Sequence, residues 1–142
     1  MVCIAVTSTP ATAAPIQIKA PCRIEVDNAH ISSTTFTKES KLAVKVVFRS
    51  ICNMDQENLV MKVQIRKSGF ILDHPITAVI IRKFPFVPAN KIVRIQGIMV
   101  YCKNTRSTTY FGVAESTATQ SGKLVRALPT QSKNKVTLRC GT

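Results

Sequence analysis

The sequence predicts an all-β protein built from antiparallel strands. Three observations support this fold class. Apolar and polar residues alternate with a period of two along most of the chain, the alternating segments are rich in Val, Ile and Thr, and turn-forming clusters separate them. No segment has a convincing apolar stripe at helical spacing. A sheet with one apolar face must bury that face, so these strands require a second sheet to cover the first.

Eight segments carry the alternation. The clearest is 41–52, where Leu42, Val44, Val46 and Phe48 take every second position. Residues of the next segment repeat the pattern with Leu59, Met61, Val63 and Ile65. In chain order the predicted strands are Arg23 to Ser32, Lys41 to Cys52, Asn58 to Lys67, Ile76 to Lys83, Lys91 to Cys102, Thr108 to Glu115, Lys123 to Leu128 and Lys135 to Cys140.

Turn-prone clusters lie between these strands. Asn53-Met54-Asp55 follows the second strand, Lys103-Asn104-Thr105 the fifth and Gln120-Ser121-Gly122 the sixth. Many short strands at this spacing favour an antiparallel β-sandwich of about seven or eight strands over a barrel. The expected type is immunoglobulin-like or related.

The cysteine spacing fits such a fold. If the first two strands form a hairpin turning near Thr37, Cys22 and Cys52 lie equally far from the turn and come opposite one another. That register leaves Cys102 to pair with Cys140, and both end predicted strands. Four cysteines allow three connectivities, and the sequence alone does not choose among them. The alternative is a reduced cytosolic chain with four buried thiols.

The beginning of the chain predicts export. Ala11 and Ala13 form the A-x-A pattern that signal peptidase cleaves, so we expect 1–13 to be a signal-peptide remnant or a disordered leader. Residues 14–142 are then a single disulfide-stabilised domain, secreted or extracellular. The apolar run at 2–6 is shorter than the roughly 7–15 residues of an export signal and follows no basic residue, which predicts a truncated or atypical leader.

The charge balance points to an anionic partner. Twenty Lys and Arg residues against seven Asp and Glu residues give a net charge of +13. The bases on the non-core phase of their predicted strands could gather on one outer sheet face; they are Lys45, Arg49, Lys62, Arg66, Arg82 and Arg94. Strand positions facing water must be polar in any case, but a merely soluble surface mixes both signs. Teichoic acids, anionic lipids, acidic polysaccharides and extracellular DNA are the polyanions available to a secreted protein.

Two segments place apolar residues where a loop is expected to be polar. Phe70 lies in 68–73, and Phe84 and Phe86 lie in 83–89. Each segment is either a partner-binding tip or a plug that folds its aromatic residues into the open end of the sandwich. Pro85 excludes a continuous central strand in the second segment.

Nothing in the sequence predicts catalysis, a metal site or a cofactor. Asp27 and His30 are an odd number of positions apart, so a strand sends them to opposite faces. No G-x-S-x-G motif occurs, and an even number of cysteines after the leader disfavours a Cys-His nucleophile. Aromatic residues are only 6% of the chain and no zinc finger or basic block is present, which disfavours dedicated nucleic-acid binding.

The leader Ala11-Thr12-Ala13-Ala14-Pro15, the Tyr101-Cys102 pair and the terminal Leu138-Arg139-Cys140-Gly141-Thr142 resemble those of small exported proteins of actinomycete-type bacteria, which have no assigned role. The resemblance covers most of the chain and implies export and a two-disulfide β-fold. The expected function is a secreted basic binding or cell-envelope-associated module that contacts an anionic partner through a basic sheet face. The alternatives are a cationic antimicrobial or membrane-active effector and a nucleic-acid-binding protein.

Overall fold

The computed structural model describes residues 22–142, and the predicted leader lies outside them. Antiparallel strands dominate this part of the chain, which confirms the all-β prediction. The elements are β1 (Cys22–Val26), β2 (His30–Ile31), α1 (Ser33–Glu39), β3 (Ala43–Lys45), β4 (Phe48–Cys52), β5 (Gln56–Lys67), β6 (His74–Pro75), β7 (Ile80–Val87), β8 (Val93–Ile95), β9 (Met99–Tyr101), β10 (Asn104–Gln120), β11 (Lys123–Gln131) and β12 (Val136–Gly141).

Three of the predicted strands are each interrupted once. The first becomes β1 and β2, the second β3 and β4, and the fifth β8 and β9. On one side of the interruptions the pieces pair in the order β1-β4-β8, and on the other side in the order β2-β3-β9. In both cases a piece of the second predicted strand lies between pieces of the first and the fifth. Gly97 lies at one of these breaks with a φ of 80°, a left-handed conformation that glycine adopts without steric cost. The pairing is therefore interrupted at corresponding places in all three strands, and we call the two small sheets together the three-stranded part.

The second assembly is a six-stranded sheet centred on β10 and β5. Strand β5 pairs with β10 on one side and with β7 and β6 on the other, while β11 and β12 share the far side of β10. Strand β10 is 17 residues long, well beyond the predicted 108–115. Its second half buries small or polar residues such as Ser116, Ala118 and Gln120, whose pattern is too weakly apolar to predict a buried strand.

Side chains from both assemblies meet in one hydrophobic core. Phe48 and Val46 come from the three-stranded part, and Leu59, Met61 and Tyr110 come from the six-stranded sheet. The two parts approach each other closely at Gly112. A Cβ atom there would lie 2.6 Å from Val46 Cγ1 and 2.8 Å from Val26 Cγ1, so this contact requires glycine.

Helix α1 contradicts the expectation that no segment is helical. Ser32 caps its beginning by accepting a hydrogen bond from the Thr35 amide at 3.3 Å. Ser40, with a φ of 54°, ends it by donating its amide to the Phe36 carbonyl oxygen at 2.9 Å. The buried residue of the helix is Thr35. Because the helix buries almost no apolar surface, its sequence carries no apolar stripe that could have predicted it.

Both expected disulfides are present, Cys22–Cys52 and Cys102–Cys140. Cys22 lies directly opposite Cys52 across β1 and β4, as the register predicts, although the connection at Thr37 is a helix rather than a tight turn. Two disulfides are typical of an oxidising environment. Between residues 22 and 142, no helix is long and apolar enough to cross a membrane.

Candidate anion-binding surface

Strand β5 presents two of the predicted anion-binding residues to solvent. Lys62 and Arg66 alternate with the buried Met61, Val63 and Ile65. They therefore point away from the core, on the outer face of the six-stranded sheet.

Neighbouring strands add further bases to the same face. Directly paired residues in a sheet share a face, and Lys83 is paired with Val60 and Arg126 with Thr117, both on the outward phase. On β12, Arg139 pairs with Ser107, and the Lys135 ammonium lies 4.4 Å from the Phe111 ring centroid. We define the outer basic face by the six residues Lys62, Arg66, Lys83, Arg126, Lys135 and Arg139.

Few acids compensate this charge. Among the described residues, the strand register brings Glu57 and Glu115 to the same face. Lys62 Nζ lies 3.9 Å from Glu115 Oε1, and both side chains are 48% exposed. An ion pair this long and this exposed contributes little and leaves the charge of Lys62 accessible to another anion.

Two grooves cross the outer basic face. The larger has a volume of about 360 Å³. Lys62, Arg66 and the acidic Glu115 line it together with apolar residues such as Val79 and Val113. The smaller, of about 80 Å³, lies between Lys62, Glu115 and Arg126. Arg66 Nε is buried and has no hydrogen-bond partner among the described residues.

The other four predicted bases lie elsewhere. Lys45, Arg49 and Arg94 belong to β3, β4 and β8 of the three-stranded part. Arg82 is paired with the buried Met61, so it lies on the core-facing phase of β7, exposed only because β7 is at the sheet edge. The structure therefore does not bring all six residues to one face: Lys45, Arg49 and Arg94 belong to other sheets, and Arg82 lies on the opposite face of the six-stranded sheet.

Arg49 differs from Lys62 in its partners. Its guanidinium donates to Asp27 Oδ2 at 2.7 Å and to Glu25 Oε2 at 3.4 Å, and its side chain is 23% exposed. Arg23 also pairs with Glu25, at 3.1 Å. The charge of Arg49 is thus largely compensated within the protein.

The two segments with aromatic residues at predicted loop positions, 68–73 and 83–89, differ in their structure. Phe84 and Phe86 are in β7 rather than in a loop, so the loop prediction was wrong for them; Phe84 packs against the core, and Phe86 is exposed. Pro85 is tolerated because β7 pairs only with β5 among the described strands. Phe70 does lie in a loop, between β5 and β6, and is fully exposed. It does not plug the end of the sheet.

The loop around Phe70 is anchored through Asp73. Its carboxylate pairs with Lys135 Nζ at 3.3 Å. Burial alone would raise the pKa of Asp73, but the hydrogen bond and charge of Lys135, with hydrogen bonds from Ser68 and Gly69, outweigh it and hold the pKa below its usual value. The carboxylate is therefore ionised at neutral pH and bridges the loop to β12.

Sequence reasoning missed four members of the outer basic face. Arg126, Lys135 and Arg139 lie in segments predicted as strands, and their phase relative to Leu138 and Val125 was available as a signal. Lys83 was missed because Ile80 and Ile81 are both apolar and leave the phase of β7 ambiguous; the pairing with β5 gives Lys83, and not Arg82, the outward phase. Within residues 22–142, no group of three or more His, Cys, Asp or Glu side chains is placed to hold a metal ion.

No family model, curated protein or solved structure matches this chain.

Proposed function

We propose that the protein is a secreted, basic binding or cell-envelope-associated module that contacts an anionic partner through its outer basic face and performs no catalysis. In the same proposal, the three-stranded part and the six-stranded sheet form the two layers of a β-sandwich of the immunoglobulin-like or a related type. The shared core and the close approach at Gly112 support this arrangement.

One observation carries the functional part of the proposal: six bases share one sheet face with two acids, Glu57 and Glu115, and a third acid, Asp73 of the neighbouring loop, pairs with Lys135. Its bases come from β5, β7, β11 and β12, and the closest ion pair that Lys62 forms is a 3.9 Å contact. A fold does not need this imbalance, because uncharged polar residues would keep a sheet face soluble equally well. Like charges held close together also repel each other, which disfavours the arrangement unless an anion relieves it.

The shape of the face favours an extended anion over a small one. Its larger groove is open to solvent, and the bases are spread over several strands that lie roughly 4.8 Å apart. A polymer with repeated phosphate, sulfate or carboxylate groups would contact several strands at once. Such binding weakens as salt rises, because the contacts are exposed to solvent.

Retention on immobilised polyanions at increasing salt tests the proposal. Lys62→Glu/Arg126→Glu should elute at much lower salt than the native protein from dextran sulfate, polyphosphate and teichoic acid. Lys45→Glu/Arg94→Glu is the matched control, since it makes the same charge change on the other sheet. Equal losses in both variants would show that net charge matters and the face does not.

A membrane-active effector is the second candidate, and the exposed Phe70, Ile71 and Leu72 favour it. Release of a dye trapped in anionic vesicles separates the two functions. A binding module adheres to such vesicles without leakage, whereas an effector releases their contents. Single-stranded DNA among the immobilised polyanions tests the nucleic-acid alternative.

A further inference from the structure

Three consecutive apolar side chains project from the loop between β5 and β6. Phe70 is fully exposed, Ile71 is 86% exposed and Leu72 is 69% exposed. Other well-exposed apolar residues are dispersed; Leu124 and Leu128 are four positions apart along β11. A contiguous apolar patch at a convex apex marks an interaction site more often than single exposed residues do. We call residues 68–73 the apolar tip.

The two ends of the apolar tip are held close together. Asp73 accepts hydrogen bonds from Ser68 and Gly69 and pairs with Lys135. A Cβ atom on Gly69 would overlap the carbonyl oxygen of Leu72, so the backbone folds back tightly on itself. Since the Asp73 contacts and the tight backbone close the tip at its base, its three apolar side chains are displayed at the apex rather than against the protein.

Basic residues surround the apolar tip where it joins the sheet. Lys67 immediately precedes it, and Lys135 pairs with its last residue. The Ser68 amide donates to the Thr109 carbonyl oxygen at 2.8 Å, which places the tip beside the first half of β10. That half of β10 carries Arg106 and pairs with Arg139 of β12. The acid of the tip, Asp73, is already compensated by Lys135.

We propose that the apolar tip inserts into the interface of an anionic lipid bilayer. The inference rests on the proposed function for its anionic partner and identifies that partner as a membrane surface. An apolar apex with cations behind it matches the order of chemistry in a bilayer, where acyl chains lie beneath negatively charged headgroups. The apex is convex, so it fits a deformable surface without needing a complementary groove.

The absence of tryptophan from the sequence allows a direct test. Phe70→Trp places a single fluorescent reporter at the apex, and Ile92→Trp places one at an exposed position in the loop between β7 and β8. With vesicles of phosphatidylcholine and phosphatidylglycerol, the emission of Phe70→Trp should shift to shorter wavelength and be quenched by brominated acyl chains. The emission of Ile92→Trp should stay unchanged. Vesicles of phosphatidylcholine alone should leave both spectra unchanged.

A second variant removes the apolar side chains. Phe70→Ser/Ile71→Ser/Leu72→Ser should bind anionic vesicles roughly tenfold or more weakly, because it loses the apolar area that the bilayer would bury. The control is Met54→Ser/Ile92→Ser, which removes exposed apolar side chains from the loops at the other end of β5 and should bind like the native protein. Circular dichroism and the thermal unfolding midpoint of each variant confirm that it is folded.

Failure of this inference is distinguishable from failure of the proposed function. The serine variant of the tip should keep its retention on dextran sulfate, which depends on the outer basic face. If the native protein binds vesicles while the emission of the Phe70→Trp variant stays unshifted, or if both tryptophan variants shift equally, the tip does not insert. If the protein ignores anionic vesicles but retains its polymer binding, the membrane is the wrong partner and a protein or polymer occupies the tip.

Discussion

The outer surfaces of the two β-sheet assemblies carry similar residues in different settings. On the three-stranded part, Arg49 is bound by Asp27 and Glu25, so its charge helps hold β1 against β4. On the six-stranded sheet, Lys62 faces Glu115 at 3.9 Å and remains largely accessible. In the amino-acid sequence, the alternating Lys and Arg residues of the two assemblies look the same. The distribution of acids across neighbouring strands decides which face stabilises the fold and which is free to bind.

Among the variants that compare the two assemblies, removing the Cys22–Cys52 disulfide should change the free energy of unfolding most. The bond fixes β1 to β4, and β1 begins the segment that supplies both carboxylates to Arg49. In the chain-entropy model, Cys22→Ala/Cys52→Ala should lower the free energy of unfolding by about 3–4 kcal/mol. Urea unfolding followed by circular dichroism measures this change.

The variant also sharpens the comparison of the two faces. If the disulfide acts locally, retention on dextran sulfate should be unchanged under conditions where the variant is folded. A matching loss of retention would mean that the outer basic face depends on the three-stranded part.

Replacing single bases should have smaller effects on stability that differ between the faces. Arg49→Met leaves Asp27 and Glu25 close together without their cation, and we expect a loss of about 1–2 kcal/mol in the free energy of unfolding. Arg126→Met, on the outer basic face, should change it by less than about 0.5 kcal/mol. Urea unfolding of the two variants in parallel checks this, and equal losses would contradict the assigned roles.

The sequence predicted what depends on local pattern. The strand of Leu59 to Ile65 and the opposition of Cys22 and Cys52 follow from a period of two and from equal distances to a turn. It did not predict which bases share a face, because that depends on pairing between strands far apart in the chain. Arg126 joins Lys62 only through β10, and Arg82 leaves the group because β7 pairs with β5 in a register that sets it opposite Met61.

The exposed conformation of Phe70 also could not be predicted from the local sequence pattern. The same segment is compatible with a plug or a tip, and the choice depends on contacts of Asp73 with Lys135, which is distant in sequence. The interruption of the first, second and fifth predicted strands depends likewise on how these strands pair with one another, and not on any one of their sequences.

The smallest expected effect concerns Asp73, which compensates one base of the outer basic face. The folded protein holds its pKa below 3.8, so the unfolded chain takes up this proton first as pH falls. Its contribution to stability is therefore present above about pH 4 and lost as pH falls through the lower, folded-state pKa. Asp73→Asn should lower the thermal unfolding midpoint slightly at pH 6, and the two midpoints should converge once the pH is below the folded-state pKa.

The same substitution should strengthen polyanion binding at neutral pH, because Lys135 is then free to contact the polymer. Dextran sulfate should release Asp73→Asn at slightly higher salt than the native protein at pH 7. Asp27→Asn is the matched control on the other face: it removes one negative charge beside Arg49, whose second partner Glu25 remains at 3.4 Å. A similar gain in both variants would mean that total charge, rather than the accessibility of particular bases, distinguishes the two faces.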